Sequence, residues 1–337
     1  MELALYCPNL GYYEAKKDSI GRRGDFYTSV SVGSLFGQLL AFQFAQWLEK
    51  IKVKNSQFKI IEAGAHNAQL AADILAWLEL ERPALFDQLT YAVIEPSEWR
   101  QQWQRETLKN FGDKVQWRSG FGTEPTDGII FSNELLDAFP VHRLGWDSGK
   151  KTWFEWGVSE SDGRFIWSRM PEPVTGLPPF IAGLPSALLD VLPDGYSIEH
   201  CPAAEDWWRA AAAHLNHGKL MTVDYGLTND ELLLPSRKDG TLRAFFQHRF
   251  ADDPLANPGQ QDLTAHVNFS AIQRAGEGAG LKTEFFSSQA NFLAQILEQT
   301  VKAGNFGEWD SARGRQFQTL THPEHLGRAF RVLVQSR

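Results

Sequence analysis

Glu62, Gly64, His66 and Ala68 stand where the apolar run 58–61 gives way to a helical pattern, and a second apolar run, 89–94, closes on Glu95. Residues of these types in this order fit nucleoside chemistry. A glycine turn after a strand lets a cofactor lie against the backbone, and an acid closing the next strand accepts hydrogen bonds from ribose hydroxyls. The turn reads Glu62-Ala63-Gly64-Ala65-His66-Asn67-Ala68, so His66 and Ala68 hold positions where further glycines commonly recur. Asn133 and Glu134 end the fourth strand-like run, 128–132, at the carboxyl edge where ligands of open α/β sheets bind. The candidate cofactor residues are therefore Glu62, Gly64, Ala65, Glu95, Pro96 and Asn133. A plainer reading of Glu62 is a strand-end acid paired with a neighbouring side chain. His66 reads as a hydrogen-bonding wall or a packing residue, with no role in proton transfer. Asp137, four residues after Asn133, either faces the cleft or caps the helix expected there.

Alternating elements must position these residues. Leu35, Phe36, Leu39, Leu40, Phe44, Trp47, Leu48 and Ile51 recur at helical spacing, giving a core-packing helix ahead of the first strand. Strand-like runs at 58–62, 89–95, 115–118 and 128–132 are separated by helical patterns such as Leu70, Ile74, Leu75 and Leu78. Strand alternating with helix predicts a parallel sheet. From 146 to about 200 the pattern changes to a hairpin signal, Ser161-Asp162-Gly163, followed by a Pro-rich stretch that reads as an insertion. A helix over 202–215 with Gly218 as its stop, and a strand over 219–224 ending in Asp224, return the chain to the sheet. The polar segment 227–266 is too long for an ordinary connection and is expected to be a functional or substrate-covering loop. Asn268 then caps a helix, 281–286 is a strand, 291–301 is helical, and 328–335 closes the chain, with the last two strands pairing antiparallel at the sheet edge. The expected division is 1–145, the N-terminal helical segment with the first half of the core; 146–200, the insertion; and 201–337, the second half with its long loop.

Composition limits the partners. The 337 residues include 43% hydrophobic side chains and 12 Trp, enough for a large core, and 33 basic against 41 acidic residues leave a net charge of −8. A chain of that sign creates no global field for phosphate backbones, so nucleic acid is not expected as a partner. Cys7 and Cys201 are the only cysteines, which fits a reducing cytoplasm and excludes a Cys-based zinc site. His214, His217, His322 and His325 read as solvent-facing, and no metal set is expected. The N-terminal apolar run lacks a basic leader and is broken by Pro8, and no run approaches the roughly 20 apolar residues of a membrane span, so membrane insertion is not expected. The oligomeric state is left open.

The turn narrows the cofactor. A nicotinamide dehydrogenase needs Gly-x-Gly-x-x-Gly to seat a pyrophosphate on a helix N-terminus, and here the turn has one glycine. S-adenosylmethionine carries no phosphate; acids at the ends of two successive strands suit its ribose and its amino-acid end better.

Several separated motifs then carry a resemblance across nearly the whole chain: Gly11-Tyr12-Tyr13, Gly24-Asp25-Phe26-Tyr27-Thr28-Ser29, Leu35-Phe36-Gly37, Asn133-Glu134 with Asp137-Ala138-Phe139-Pro140-Val141, Gly240-Thr241-Leu242-Arg243, Gln247-His248-Arg249, and the stretch from Asp262 through His266 to Phe269. With them the chain resembles the MidA family of S-adenosylmethionine-dependent methyltransferases, whose mitochondrial relatives assist respiratory complex I assembly by methylating an arginine. The resemblance implies a Rossmann-like α/β fold, the class I methyltransferase sheet of seven strands with the last antiparallel, and insertions forming a smaller substrate-covering subdomain. It adds Gly24, Asp25 and Thr28 to the cofactor set and implies a protein substrate. The family turn usually reads Glu-x-Gly-x-Gly-x-Gly, and after Thr28-Ser29 the usual Pro-Glu is Val30-Ser31 here. If the acceptor is a guanidinium, carboxylates orient it by paired hydrogen bonds, and Glu134 and Asp137 are the candidates. The alternative is a non-catalytic assembly or scaffolding protein on a methyltransferase fold whose turn has drifted at His66 and Ala68.

Overall fold

The computed structural model describes residues 1–14, 28–51, 57–172, 174, 176–246, 249–304 and 306–337. Elements are numbered in chain order. The described residues fall into two compact units, each assembled from three stretches of chain: one within Met1–Lys17, Asp137–Asp206 and Gly226–Ile272, the other within Asp18–Leu136, Trp207–Tyr225 and Gln273–Arg337. Both draw on separated stretches, so their boundaries differ from the sequential division at 145 and 200.

The larger unit is built on a sheet. Its strands are β1 (Phe58–Ala63), β2 (Leu89–Ile94), β3 (Val115–Arg118), β4 (Thr126–Asn133), β9 (Leu215–Leu227), β14 (Lys282–Ser288) and β15 (Phe330–Ser336), in the spatial order β14-β15-β9-β4-β1-β2-β3. Pairings from β9 through β3 are parallel, and β15 is antiparallel to both β9 and β14. The expected seven-stranded order with an antiparallel last strand is the one found. In the other unit, the short β13 (Val267–Asn268) pairs in parallel with Gly226 and Leu227.

Alternation fixes which face each strand buries. Phe58, Ile60, Tyr91, Val93, Ile129 and Phe131 share a core with α2 (Leu35–Leu48), α3 (Gln69–Glu81), α11 (Gln289–Ala303) and α12 (Ser311–Thr321). Leu35, Leu39, Leu40, Phe42, Phe44 and Leu48 of α2 are all buried, so this helix is enclosed on more than one stripe. The helices α4 (Pro83–Asp87), α5 (Glu98–Thr107) and α8 (Pro202–His214) complete the βα connections up to β9. Gly218 stops no helix: α8 ends at His214 and Gly218 lies inside β9 at φ +137. A Cβ there would meet the Gly128 carbonyl oxygen at 1.8 Å, so glycine serves the close approach of β9 to β4.

The second unit carries its own small cores. Strands β5 (His142–Asp147), β6 (Thr152–Ser161), β7 (Arg164–Arg169) and β8 (Ser197–His200) form an antiparallel sheet ordered β7-β6-β5-β8, with Leu144, Trp146, Trp153, Tyr196 and Ile198 buried together. The β6–β7 hairpin turns on Asp162 (φ 51) and Gly163 (φ 75), the left-handed pair that a two-residue hairpin requires. The short helices α1 (Glu2–Tyr6), α6 (Pro179–Ala182), α7 (Ser186–Leu189) and α9 (Asn229–Leu232) belong to this unit.

Segment 227–266 is not a loop. It holds α9, closed by a Thr228/Glu231 capping box, and a three-stranded antiparallel sheet of β11 (Arg249–Ala251), β10 (Arg243–Phe246) and β12 (Asp262–Thr264). Ala244 and Leu263 from this sheet are buried with Leu5 and Tyr12. The strands are three or four residues long, too short for alternation to announce them. Asn268 caps α10 (Phe269–Gly278) as expected, its Oδ1 accepting from the Ala271 N–H at 3.1 Å. Among the described residues no helix is long and apolar enough to cross a membrane.

Candidate functional site

The sheet register lines up the candidate residues. Ala63 pairs with Ile94 on one side and Ser132 on the other, so Gly64, Glu95 and Asn133 follow at the same level at the carboxyl edge. Asn133 pairs in turn with Val223, which sets Glu134 level with Asp224. After β1 the chain runs outward through β2 and β3 and then returns to β4 on the opposite side of β1. That reversal is the topological switch point at which open α/β sheets bind ligands.

The turn from β1 into α3 keeps the backbone path of a glycine turn. Gly64 (φ 74), His66 (φ 46) and Ala68 (φ 62) are all left-handed. The path is held by Ala68 N–H donating to the Ala65 carbonyl at 2.6 Å and Gln69 N–H donating to Asn67 Oδ1 at 3.1 Å. A Cβ on Gly64 would stand 2.8 Å from Leu135 Cδ1, so only glycine fits without displacing that side chain. The replacements at 66 and 68 therefore changed side chains and left the fold of the turn intact, at a conformational cost of about 1–2 kcal/mol for each residue bearing a Cβ.

Glu95 is buried, and both its oxygens are engaged: Oε1 accepts from Ser97 N–H at 3.0 Å and Oε2 from Gln104 Nε2 at 3.2 Å. Pro96 follows it, exposed, ahead of α5. Glu62 lies one residue before the end of β1, on the face shared with Ile60, and accepts from the Tyr91 hydroxyl at 2.6 Å. Burial pushes its carboxyl up to about 7, with the Tyr91 hydrogen bond pulling the other way. Its observed partner is thus the core tyrosine.

At the end of β4, Asn133 donates from Nδ2 to Glu134 Oε1 at 3.1 Å, while its Oδ1 is buried with no hydrogen-bond partner among the described residues. A buried orphan acceptor at a ligand-binding edge is an incomplete site. Glu134 is left-handed at φ 52 and its N–H donates to the Val223 carbonyl at 2.9 Å. Asp224, fully buried, accepts from Leu135 N–H (3.1 Å), Leu136 N–H (2.8 Å) and Tyr225 N–H (2.8 Å). Burial raises its pKa, and the negative charge of Glu134 adds to the rise. Asp224 thus anchors the bend that aims Glu134. The sequence offered one sign of this role, an acid closing a buried strand level with Asn133-Glu134.

The remaining candidates lie elsewhere. Gly24 and Asp25, and Gln247 and His248 of another motif, are outside the described residues. Thr28 is buried in a local turn, exchanging bonds with Ser31, while Ser29 donates to Gln289. Asp137 belongs to the second unit, in a 3-10 turn, where its carbonyl accepts from Ala265 N–H. In that unit Tyr13 donates to Asp262 at 2.8 Å and stacks on Tyr6, which donates to the Ala138 carbonyl. Burial first, and then the charges of Asp262 and Asp137, push the Tyr13 hydroxyl well above its usual range. His214 is buried against the Thr126 hydroxyl at 3.1 Å, contrary to its expected exposure, because it ends α8 under the sheet rather than in a surface turn.

The donor set fits S-adenosylmethionine. Gly64 leaves the backbone bare, Glu95 closes the second strand, and the orphan Asn133 Oδ1 lacks a donor that an ammonium or a hydroxyl supplies. A seven-stranded sheet with one antiparallel strand and this edge defines a class I S-adenosylmethionine-dependent methyltransferase.

Comparison with known proteins agrees. The family described as "Putative S-adenosyl-L-methionine-dependent methyltransferase" matches residues 39–287, and the chain belongs to that family. A superfamily member from Burkholderia thailandensis, solved bound to S-adenosyl-homocysteine, is 33% identical with a TM-score of 0.85, covering 100% of this chain and 86% of that one. A mitochondrial protein arginine methyltransferase NDUFAF7 homologue of Drosophila melanogaster is 28% identical over 99% of this chain and 79% of its own length. Its counterpart in Rattus norvegicus is 26% identical over 98% and 78%. The chain is an S-adenosylmethionine-dependent methyltransferase.

Proposed function

We propose that this methyltransferase takes a protein as acceptor and methylates an arginine guanidinium. The relatives' names support the substrate class. The observation that carries the site is the row of Gly64, Glu95 and Asn133 at one level of the sheet edge, with a buried acceptor still lacking a donor. When bound, the cofactor supplies a methyl group activated by a sulfonium. The chain's own residues bind and orient: Glu95 accepts from ribose hydroxyls, Asn133 Oδ1 accepts from the cofactor's polar end, and the turn of Gly64 and Ala65 gives it bare backbone. Gly24, Asp25, Thr28, Glu62 and Pro96 complete the proposed cofactor set, Glu62 through the turn it precedes.

Methyl transfer is an in-line displacement, so positioning the nucleophile is the main task. Glu134 is the acid assigned to the guanidinium, orienting its reacting nitrogen and receiving its positive charge in paired hydrogen bonds. Both cysteines are free, which fits the reducing cytoplasm we propose as the protein's location.

The test is transfer of labelled methyl from S-adenosylmethionine to protein, followed by hydrolysis and amino-acid analysis. Label in methylarginine is expected, and Glu134→Gln is expected to lower kcat by about 10²-fold or more, as loss of a positioned catalytic group does. Label confined to another amino acid would overturn the substrate class, and wild-type rates from Glu134→Gln the role of that acid.

A further inference from the structure

Gln104 is fully buried on α5, and both ends of its amide are used. Trp117 Nε1, a group that can only donate, meets Gln104 Oε1 at 3.0 Å, which settles which end of the amide is oxygen. The two hydrogens of Nε2 then face two acceptors, the His66 carbonyl oxygen at 2.9 Å and Glu95 Oε2 at 3.2 Å. One side chain therefore joins the turn after β1, the acid after β2 and the strand β3. Ser97 N–H holds the other oxygen of Glu95, so the carboxylate is fixed from both sides.

His66 is also the residue that most needs support. Its left-handed backbone is one that a residue with a Cβ adopts reluctantly. The turn of α5 that carries Gln104 holds it twice, through the Gln104 amide on its carbonyl and through Trp103, whose ring meets the His66 ring edge-on at 5.0 Å.

We infer that Gln104 is a positioning residue of the cofactor site: its amide fixes the His66 turn and the Glu95 carboxylate in one relation, so that Glu95 is held in place for the ribose. The inference rests on the assignment of Glu95 to the cofactor. It predicts a proton-linked phenotype. In Gln104→Glu an ionised carboxylate would confront two acceptors, whereas the protonated acid regains one donor for them.

Calorimetric titration of the full chain with S-adenosyl-homocysteine tests this. Gln104→Leu is expected to weaken binding by about ten-fold, the scale of a hydrogen bond to a charged group. Glu95→Gln weakens it as well. On a Glu95→Ala background the Gln104→Leu change is expected to cost less than about three-fold, because the carboxylate that Gln104 holds has gone. Two independent losses that multiply, or a Gln104→Leu protein with wild-type affinity, would overturn the inference while leaving the Glu95 assignment intact. Wild-type affinity in Glu95→Gln would overturn both. Should Gln104→Leu fail to fold, Gln104→Glu decides: its affinity is expected to approach wild type as the pH falls from about 8 to about 5, and an affinity deficit constant across that range would overturn the inference.

Discussion

The most informative residues of the turn are the two that are not glycine. His66 and Ala68 take left-handed backbone angles, so the conformation that glycine usually supplies has been kept and its side-chain freedom given up. Ala68 is also the N-cap of α3 without a capping side chain, a position where glycine is preferred to alanine. Ala68→Gly should therefore stabilise the protein by about 1 kcal/mol in urea unfolding, and a loss of stability would contradict the account. Glu62 makes a second prediction. Its folded pKa, about 7, lies above the ordinary value of 4.5, so the stability it contributes is full below pH 4.5 and is lost as the pH rises through about 7. Glu62→Gln keeps an acceptor for Tyr91 and removes the ionisation, so its melting temperature should vary less between those pH values and exceed wild type at alkaline pH. A pH profile parallel to wild type would show that the Glu62 carboxyl titrates normally in the fold. At this scale the sequence displayed Glu95, Asn133 and Gly64 plainly, because each ends or follows an apolar strand. It hid Tyr91 and Gln104, whose roles come from contacts 29 and 38 residues away in sequence respectively.

Among elements, legibility followed length and burial. Strands β1 to β4 were readable because strands buried on both faces read as continuous apolar runs, and the antiparallel close of β14 and β15 followed from order alone. Helix α12 went unread, since Leu320 is its one buried side chain and its remaining residues carry no stripe. The three- and four-residue strands β10, β11 and β12 likewise conceal a small sheet inside a segment that reads as a loop. A glycine after a helical pattern resembles a C-cap, whereas Gly218 permits two strands to approach. Gly218→Ala tests that reading. A Cβ placed 1.8 Å from a backbone carbonyl must push β9 from β4, and a loss of about 3 kcal/mol or more is expected in denaturant unfolding. A loss of a few tenths would restore the view of Gly218 as a dispensable stop.

For the molecule as a whole, the two units each keep a core of their own, and the proposed cofactor row of Gly64, Glu95 and Asn133 lies entirely within the unit built on the large sheet. Ligand binding to that unit should raise its stability by mass action, about 2.7 kcal/mol at a hundred-fold excess over Kd. The central claim is that Gly64, Glu95 and Asn133 form a working S-adenosylmethionine site despite His66 and Ala68. Calorimetric titration of the wild type, Glu95→Ala and Asn133→Ala with S-adenosylmethionine tests it most directly. The account predicts saturable one-site binding by the wild type and affinity at least about ten-fold weaker in each variant. Absence of wild-type binding at millimolar cofactor, or variants that bind as tightly as the wild type, would contradict it.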